Sequence, residues 1–415
     1  MATTLTLLFL IALAVTLALR LWLASRQIAH VRAHRNAVPV EFSGEIPLSD
    51  HQKAADYTVA KTRLGMLNAA TDTAMILLFT LGGGLEWLWQ LSSHLFNGDI
   101  ARGLALVCGV TIISSLVSLP FTIVTTFGIE ARYGFNKITP KLFIADLLRG
   151  ILLSAALGLP ILALVLWLMA KMGSAWWLWV WLAWTGISLL MLVLYPTLIA
   201  PLFNKFSPLD DASLKERIEA LLTRTGFASR GVYVMDGSKR SSHGNAYFTG
   251  FGAAKRIVFF DTLLKQLTPA EIEAVLAHEL GHFKLKHITQ RMVLTFALSL
   301  GFLFVLGLLI DAPWFYQGLG VATPSTAMAL VLFFMAVPAF TFPLTPLSSL
   351  LSRRHEYQAD DFAAKETDSG ELIHALTKLY RDNAATLTPD PLHSAFYDSH
   401  PPAALRIAHL KGARP

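Results

Sequence analysis

Two histidines four positions apart, with a glutamate directly after the first, form the pentad His278-Glu279-Leu280-Gly281-His282. Residues four apart share one face of a helix, so both imidazoles can bind the same metal ion. Glu279 lies about 100° further round the helix axis, where its carboxylate can contact a water held by that ion. Catalytic zinc takes three protein ligands and keeps one position open. The pentad therefore predicts a hydrolytic zinc site with a third ligand elsewhere in the chain.

The segment around the pentad carries its own signals for the start of a helix. Thr268 is followed by Pro269 and, three residues later, by Glu271, which is the pattern of an N-cap, a first-turn proline and a capping box. We predict one helix from Thr268 to Thr289. A chance occurrence of the pentad is the alternative, and the independent helix signals argue against it.

The composition is that of a membrane protein. Of the 415 residues 54% are hydrophobic and 15% are charged, and the mean hydropathy is +0.52. The net charge is +6. The basic residues are spread between the apolar runs rather than gathered in one patch, so we expect contact with membrane lipids and no binding of nucleic acid. The single cysteine, Cys108, excludes an intramolecular disulfide and a cysteine-based zinc site.

About seven apolar runs are long enough to cross a bilayer. They lie near residues 4–24, 66–91, 104–127, 147–170, 175–195, 292–310 and 325–345. Loops rich in Lys and Arg stay in the cytoplasm, and nearly all of these residues fall on one side of the predicted membrane. This places the N-terminus outside and the pentad at the cytoplasmic face, of the inner membrane in a bacterium or of the endoplasmic reticulum in a eukaryote.

The chain divides into four predicted parts. They are an N-terminal membrane domain (1–195, five spans), a catalytic segment with the pentad (196–291), a transmembrane hairpin (292–345) and a C-terminal catalytic segment (346–415). In the second part we predict an amphipathic helix over Asp211–Phe227 and strands over Gly231–Met235 and Arg256–Phe260. The stretch between these strands, 245–248, is compatible with an edge strand that binds an extended peptide. The pattern alone favours an ordinary hairpin.

Topology restricts the third metal ligand to the side of the membrane that carries the pentad. Glu356 meets this condition, because the sixth and seventh runs form a hairpin that returns the chain to that side. Asp360 follows four residues later on a predicted helix, so one carboxylate can bind metal while the other hydrogen-bonds a ligand imidazole. An acidic pair on the protein surface is the alternative.

Other polar residues are weaker candidates. His287 and His355 compete with Glu356 as metal ligands, although each can equally cap, pack or support a neighbour. His400 precedes two prolines that open another predicted helix, and its imidazole could donate to a developing oxyanion. Arg406 on that helix could pair with Asp360.

Five motifs together resemble those of a known family. They are YGFNK (133–137), SSHGNAYFTGFG (241–252), HELGH (278–282), EYQAD (356–360) and HPPAALRI (400–407). In this order among the predicted spans they resemble the type I CAAX prenyl endopeptidases, integral-membrane zinc metallopeptidases that have bacterial relatives. The resemblance covers nearly the whole chain.

The resemblance implies roles for individual residues. One zinc ion would be held by His278, His282 and Glu356, while Glu279 activates water. Asn245 and Ala246 would lie in the strand that binds the peptide substrate. The remaining catalytic residues would be Asp360, His400 and Arg406.

The resemblance also implies a mainly α fold, with about seven tilted transmembrane helices around a water-filled chamber and a small α+β zincin-like catalytic domain on the cytosolic side. Family members cut after a prenylated cysteine near the C-terminus of a protein, so the partner would be a peptide or protein substrate. Bacteria generally lack this lipidation, which leaves open whether prenylation is required.

Two other functions compete with this interpretation. One is a membrane-protein quality-control metallopeptidase, whose family members have fewer spans than this chain. The other is a transporter or channel with a regulatory metal site. Paired charges within the spans would favour that class. However, Asp72 has no evident basic partner there, and the predicted metal ligands fall outside the spans.

Overall fold

The computed structural model describes residues 1–227, 231–249 and 256–412. Helices make up most of this part of the chain. The helices of the first half are α1 (Ala2–Ala33), α2 (Leu48–Phe79), α3 (Gly84–Leu95), α4 (Asp99–Ile123), α5 (Pro140–Lys171), α6 (Trp176–Leu194) and α7 (Ala200–Phe203). Those of the second half are α8 (Ala212–Arg224), α9 (Asp261–Gln266), α10 (Pro269–Lys284), α11 (His287–Leu309), α12 (Pro313–Gly318), α13 (Thr326–Thr341), α14 (Thr345–Glu366), α15 (Ser369–Asp382), α16 (Pro391–Tyr397) and α17 (Ala403–Leu410).

Six helical segments in the described residues are long and apolar enough to cross a membrane, and a bent pair, α2 with α3, brings the number to seven. The apolar run predicted as one span over 66–91 falls on this bent pair, in which α2 and α3 meet at 56°. Three consecutive glycines cause the break. Gly83 has φ +78°, and a Cβ at Gly82 would lie 2.8 Å from the carbonyl oxygen of Leu78.

A four-stranded sheet forms the small α+β unit. Its strands are β1 (Phe206–Pro208), β2 (Val232–Met235), β3 (Ala246–Thr249) and β4 (Arg256–Phe260), in the order β1-β2-β4-β3. β2 and β4 are parallel, whereas β3 runs antiparallel to β4. The stretch 245–248 thus contributes a strand, while its binding of a peptide stays a prediction. β3 pairs with the next strand as in a hairpin, and its other edge carries no strand among the described residues.

The two largest hydrophobic cores lie in different parts of the described chain. Apolar residues of α1, α4, α6 and α13 pack in the membrane region, while α8, α10, α15 and the sheet enclose a separate core in the catalytic unit. The confirmed class is a mainly α multi-pass membrane protein with a small α+β unit.

The helix of the pentad begins as predicted and ends earlier. Thr268 accepts a hydrogen bond from the backbone N–H of Glu271 at 3.3 Å, and Glu271 accepts one from the backbone N–H of Thr268 at 2.7 Å. The prediction of one helix to Thr289 is wrong, because α10 ends at Lys284 and α11 starts at His287. Lys286 between them has φ 59°. The turn separates a helix packed in the catalytic core from a helix that enters the membrane.

Candidate active site

The pentad glycine lets two helices of the catalytic unit approach closely. A Cβ on Gly281 would lie only 3.0 Å from the Cα of Ala359 on α14. Any side chain larger than hydrogen at this position would push α10 and α14 apart. The contact between Gly281 and Ala359 therefore brings the preceding turn of α14, with Glu356, against the two pentad histidines.

Three ligand atoms converge between α10 and α14. The Nε2 atoms of His278 and His282 lie 3.3 Å apart. Oε2 of Glu356 lies 3.4 Å from Nε2 of His278, and its Oε1 lies 3.3 Å from Nε2 of His282. His278 and Glu356 are buried, and His282 is partly buried. This group, the metal triad below, joins residues that are more than 70 positions apart in the chain.

The metal triad fits a single small cation. Ligands about 2.0–2.2 Å from a tetrahedral zinc ion lie about 3.3–3.6 Å from one another. The two Nε2 atoms lie 3.3 Å apart, and each has one oxygen of the Glu356 carboxylate at 3.3–3.4 Å. Oε2 of Glu356 is also buried without a hydrogen bond in the described part of the chain. Burial of a carboxylate oxygen without a hydrogen bond is unfavourable, and a bound cation would compensate for it. The triad can therefore hold a metal ion.

Asp360 contacts His278 of the metal triad and pairs with Arg406, a pairing that the sequence offered only as a possibility. Oδ1 of Asp360 lies 2.9 Å from Nδ1 of His278, and Arg406 donates to both carboxylate oxygens, to Oδ2 at 2.8 Å. The carboxylate occupies the far nitrogen of the imidazole and leaves Nε2 for a metal. Burial and the charge of Arg406 lower the pKa of His278, but hydrogen bonds with Asp360 and Glu356 outweigh them and raise it.

We expect Asp360→Asn to lower the free energy of unfolding by about 3–5 kcal/mol, because it removes the charge that compensates the buried guanidinium of Arg406. Thermal unfolding of the purified protein in detergent measures this effect. Asp361→Asn is the matched control, since Asp361 is 65% exposed and pairs with His409, and such a surface pair contributes about 0–1 kcal/mol. Equal stability of the two variants would contradict the supporting role of Asp360.

His400 lies at the open side of the metal triad. Its Nε2 is 3.4 Å from Oε1 of Glu356, and its Nδ1 contacts the hydroxyl of Ser399 at 3.0 Å. Burial lowers the pKa of His400, despite the opposing charge of Glu356. In its neutral form the imidazole can donate one hydrogen bond toward the space in front of the triad.

A cavity of about 520 Å³ opens in front of the metal triad. Glu279, predicted to be the base, lines this cavity next to His282 and Glu356. Its far wall consists of residues from α6 and the first half of α11, so the cavity connects the catalytic unit to the membrane helices. Those wall residues are Trp184, Ser188, Leu192, Ile288, Arg291, Met292, Thr295 and Phe296.

The edge strand β3 runs along the same cavity, although not with the residues named from the motif. Asn245 is exposed just before the strand and Ala246 is its first residue, whereas Tyr247 and Phe248 line the cavity. Both aromatic residues fall within the stretch 245–248 considered as an edge strand, but the family resemblance named only Asn245 and Ala246 as substrate-binding residues. Their position directly after the asparagine was the available signal. Gly250–Gly252, the end of the motif, lie outside the described residues.

The motif YGFNK explains how β3 is positioned. Phe135 stacks on His243 at 4.5 Å between ring centroids, and Lys137 N–H donates to the carbonyl of Arg240. From the other side, Oδ1 of Asn383 lies 3.0 Å from Nδ1 of His243 and accepts from Gly244 N–H at 3.3 Å. The segment that leads into β3 is thus held between the membrane domain and the end of α15.

The two competing ligand candidates lie beside the metal triad. His287 contacts His282 through its Nδ1 at 3.1 Å, and the ring of His355 stacks on His287 at 4.0 Å. Neither is in the group of residues that converges on one ion position. Glu356 is the residue that completes a group able to hold a metal ion with His278 and His282.

A multi-pass membrane protein with a His–His–Glu metal site, a glutamate beside the open face and an edge strand along the cavity is a membrane metallopeptidase. Comparison with known proteins gives the same class. Residues 27–205 match the family described as CAAX prenyl protease N-terminal, five membrane helices, and residues 208–414 match peptidase family M48. The chain belongs to the M48 peptidases and is a membrane metalloendopeptidase.

Similar proteins extend over almost the whole chain. The CAAX prenyl protease 1 homolog of Arabidopsis thaliana is 36% identical over 387 residues, 90% of each chain. The homolog of Homo sapiens is 32% identical and covers 90% of this chain and 88% of its own. A crystal structure of S. mikatae Ste24p superposes with a TM-score of 0.91 at 32% identity, covering 98% of this chain and 99% of that one. The structural similarity agrees with the chamber-forming architecture that the motifs imply.

Proposed function

We propose that this chain is a zinc-dependent endopeptidase that cleaves protein substrates after a prenylated cysteine near their C-terminus. The observation that carries the proposal is the position of the metal triad at the inner end of a cavity whose far wall belongs to membrane helices. The relatives named CAAX prenyl proteases support the substrate class, because they match over about nine tenths of the chain.

Zinc is the ion that fits the donor set best. Two imidazole nitrogens and one carboxylate oxygen with tetrahedral separations are a common ligand set of catalytic zinc, while Ca²⁺ and Mg²⁺ prefer oxygen ligands in larger number. When bound, zinc supplies the Lewis acidity that lets water attack a peptide carbonyl near neutral pH. His278, His282 and Glu356 hold the ion, and Asp360 and Arg406 keep His278 in place.

Side chains around the cavity carry out the proton transfers and stabilise the developing negative charge. Glu279 takes a proton from the attacking water and returns it to the leaving amine. His400 donates from Nε2 to the oxygen of the scissile carbonyl as negative charge develops there. The free edge of β3 holds the substrate in extended form through backbone hydrogen bonds, and Asn245 and Ala246 stand where the substrate meets this edge.

The lipid of the substrate fits the wall formed by α6 and α11. Trp184, Leu192 and Phe296 present apolar surface there, and the volume of about 520 Å³ lies within the usual range of about 300–1,000 Å³ for small-molecule sites. A prenyl chain can reach this wall from the bilayer. The peptide backbone beside it then lies along β3, in front of the metal triad.

We expect a farnesylated peptide to be cleaved at least about tenfold more efficiently than the same peptide without its lipid, because each buried CH₂ group contributes about 0.8 kcal/mol. Values of kcat/KM for the two peptides, measured with the purified protein, test this. Equal values for both peptides would reject the prenyl specificity while leaving the peptidase intact. Removal of zinc with a chelator is the control, and it should stop hydrolysis of both peptides.

We also propose that the active site faces the cytosol, since the loops on its side hold nearly all Lys and Arg residues. A reporter enzyme fused behind the C-terminus, active only in the cytosol, should then function in cells. A silent reporter, with activity from one that works only outside the cytosol, would reverse the orientation.

A further inference from the structure

A chain of hydrogen bonds leads from one metal ligand to the membrane-side end of the catalytic unit. Nδ1 of His282 lies 3.1 Å from Nδ1 of His287, and Nε2 of His287 lies 3.0 Å from Oε1 of Gln358 on α14. His287 is 2% exposed. The left-handed turn at Lys286 folds the first residue of α11 back toward α10 and so makes these contacts possible.

The chemistry of these atoms determines where the protons lie. An amide oxygen only accepts hydrogen bonds, so Nε2 of His287 carries a proton and donates it to Gln358. A neutral His287 then accepts at Nδ1, and the donor is Nδ1–H of His282. This leaves the lone pair of His282 on Nε2, the atom that faces Glu356 at 3.3 Å.

The ring of His287 is also held in its plane. His355 stacks on it with 4.0 Å between centroids and an interplanar angle of 7°. Nε2 of His355 in turn lies 3.1 Å from Oε1 of Gln290. The direction of the His287 lone pair is thus determined by packing as well as by hydrogen bonds.

We propose that His287 and Gln358 are positioning residues that hold His282 in the tautomer able to bind zinc through Nε2. This inference rests on the proposed zinc site and adds to it a second support. For His278, the carboxylate of Asp360 performs the corresponding task. For His282, a neutral imidazole and an amide perform it. The reverse order of protons would place a hydrogen on Nε2 of His282 and block the metal.

Zinc affinity of the purified full-length protein, measured by competition with a chromogenic chelator, tests the proposal. We expect His287→Leu and Gln358→Leu each to weaken zinc binding by about 10- to 100-fold. His287→Asn should bind zinc nearly as the wild type does, because its amide oxygen can replace Nδ1 as acceptor. At saturating zinc the variants should recover most of kcat, since the loaded site is unchanged.

His94→Leu is the matched control, because this exposed histidine lies in the last turn of α3 and belongs to neither His/Glu group that could hold a metal ion, and it should leave the zinc affinity unchanged. Wild-type affinity in both His287→Leu and Gln358→Leu would overturn the proposal. So would a loss of affinity that always accompanies a lower unfolding temperature of the zinc-free protein, since that result indicates a structural role. A wild-type protein that binds no zinc would instead reject the proposed function itself.

Discussion

Replacing Glu279 by glutamine should lower kcat by about 100- to 10,000-fold, the usual contribution of general acid–base catalysis, while bound zinc stays near one ion per chain. The side chain of Glu279 lines the cavity next to the metal triad. Glutamine keeps its size but cannot accept a proton from water. Hydrolysis of a reporter peptide and elemental analysis of the same preparation measure the two effects together.

The matched control for this experiment is Glu273→Gln, on the same helix. Glu273 pairs with Arg217 at 2.8 Å, away from the cavity, and its replacement should leave hydrolysis close to the wild-type rate. Undiminished activity of Glu279→Gln would remove Glu279 from the mechanism. A simultaneous loss of zinc would show that the carboxylate contributes to metal binding instead.

Glu356→Ala should lose both zinc and hydrolysis. Glu356 is the one member of the metal triad on α14. Without its carboxylate, only the two imidazoles on one face of α10 remain. We expect the zinc affinity to fall by more than about 100-fold, the upper end of the effect of removing a supporting residue. Chelator competition measures the affinity, and peptide hydrolysis at low zinc measures the consequence.

Glu366→Gln serves as the control for Glu356→Ala, because Glu366 ends the same helix and pairs with Arg224 at the surface. It should keep both zinc and activity. Unchanged zinc content in Glu356→Ala would require another third ligand. His400, 3.4 Å from the Glu356 carboxylate, would be the nearest candidate.

Local signals in the sequence were sufficient for the elements that carry the site. The capping box of Thr268 and Glu271 gave the first turn of α10, where both predicted hydrogen bonds are present. The strand over Arg256–Phe260 has the predicted bounds. In these cases the decisive interactions lie within a few residues of one another, so the sequence contains them directly.

The errors arose where long-range packing decides the structure. Apolar residues keep a helical spacing through 285–289. No local sequence signal indicates the left-handed backbone conformation of Lys286. The change of direction follows from the need to pack α10 in the catalytic core and α11 in the membrane. The glycine run that breaks the span after Phe79 was visible, but an apolar run alone does not distinguish a bent pair from a straight helix.

The same limit applies to His287. Its spacing from the pentad made it a possible ligand, and only the fold shows that it contacts the far nitrogen of His282. The pairing of Asp360 with Arg406 was suggested from the motifs, yet its bidentate geometry depends on α14 and α17 meeting in three dimensions.

Anomalous X-ray scattering on both sides of the zinc absorption edge, from crystals of active protein grown without added metal, tests the metal site most directly. We predict one peak about 2.0–2.2 Å from Nε2 of His278, Nε2 of His282 and a carboxylate oxygen of Glu356. A peak at another position, or none in protein that hydrolyses peptides, would contradict the account.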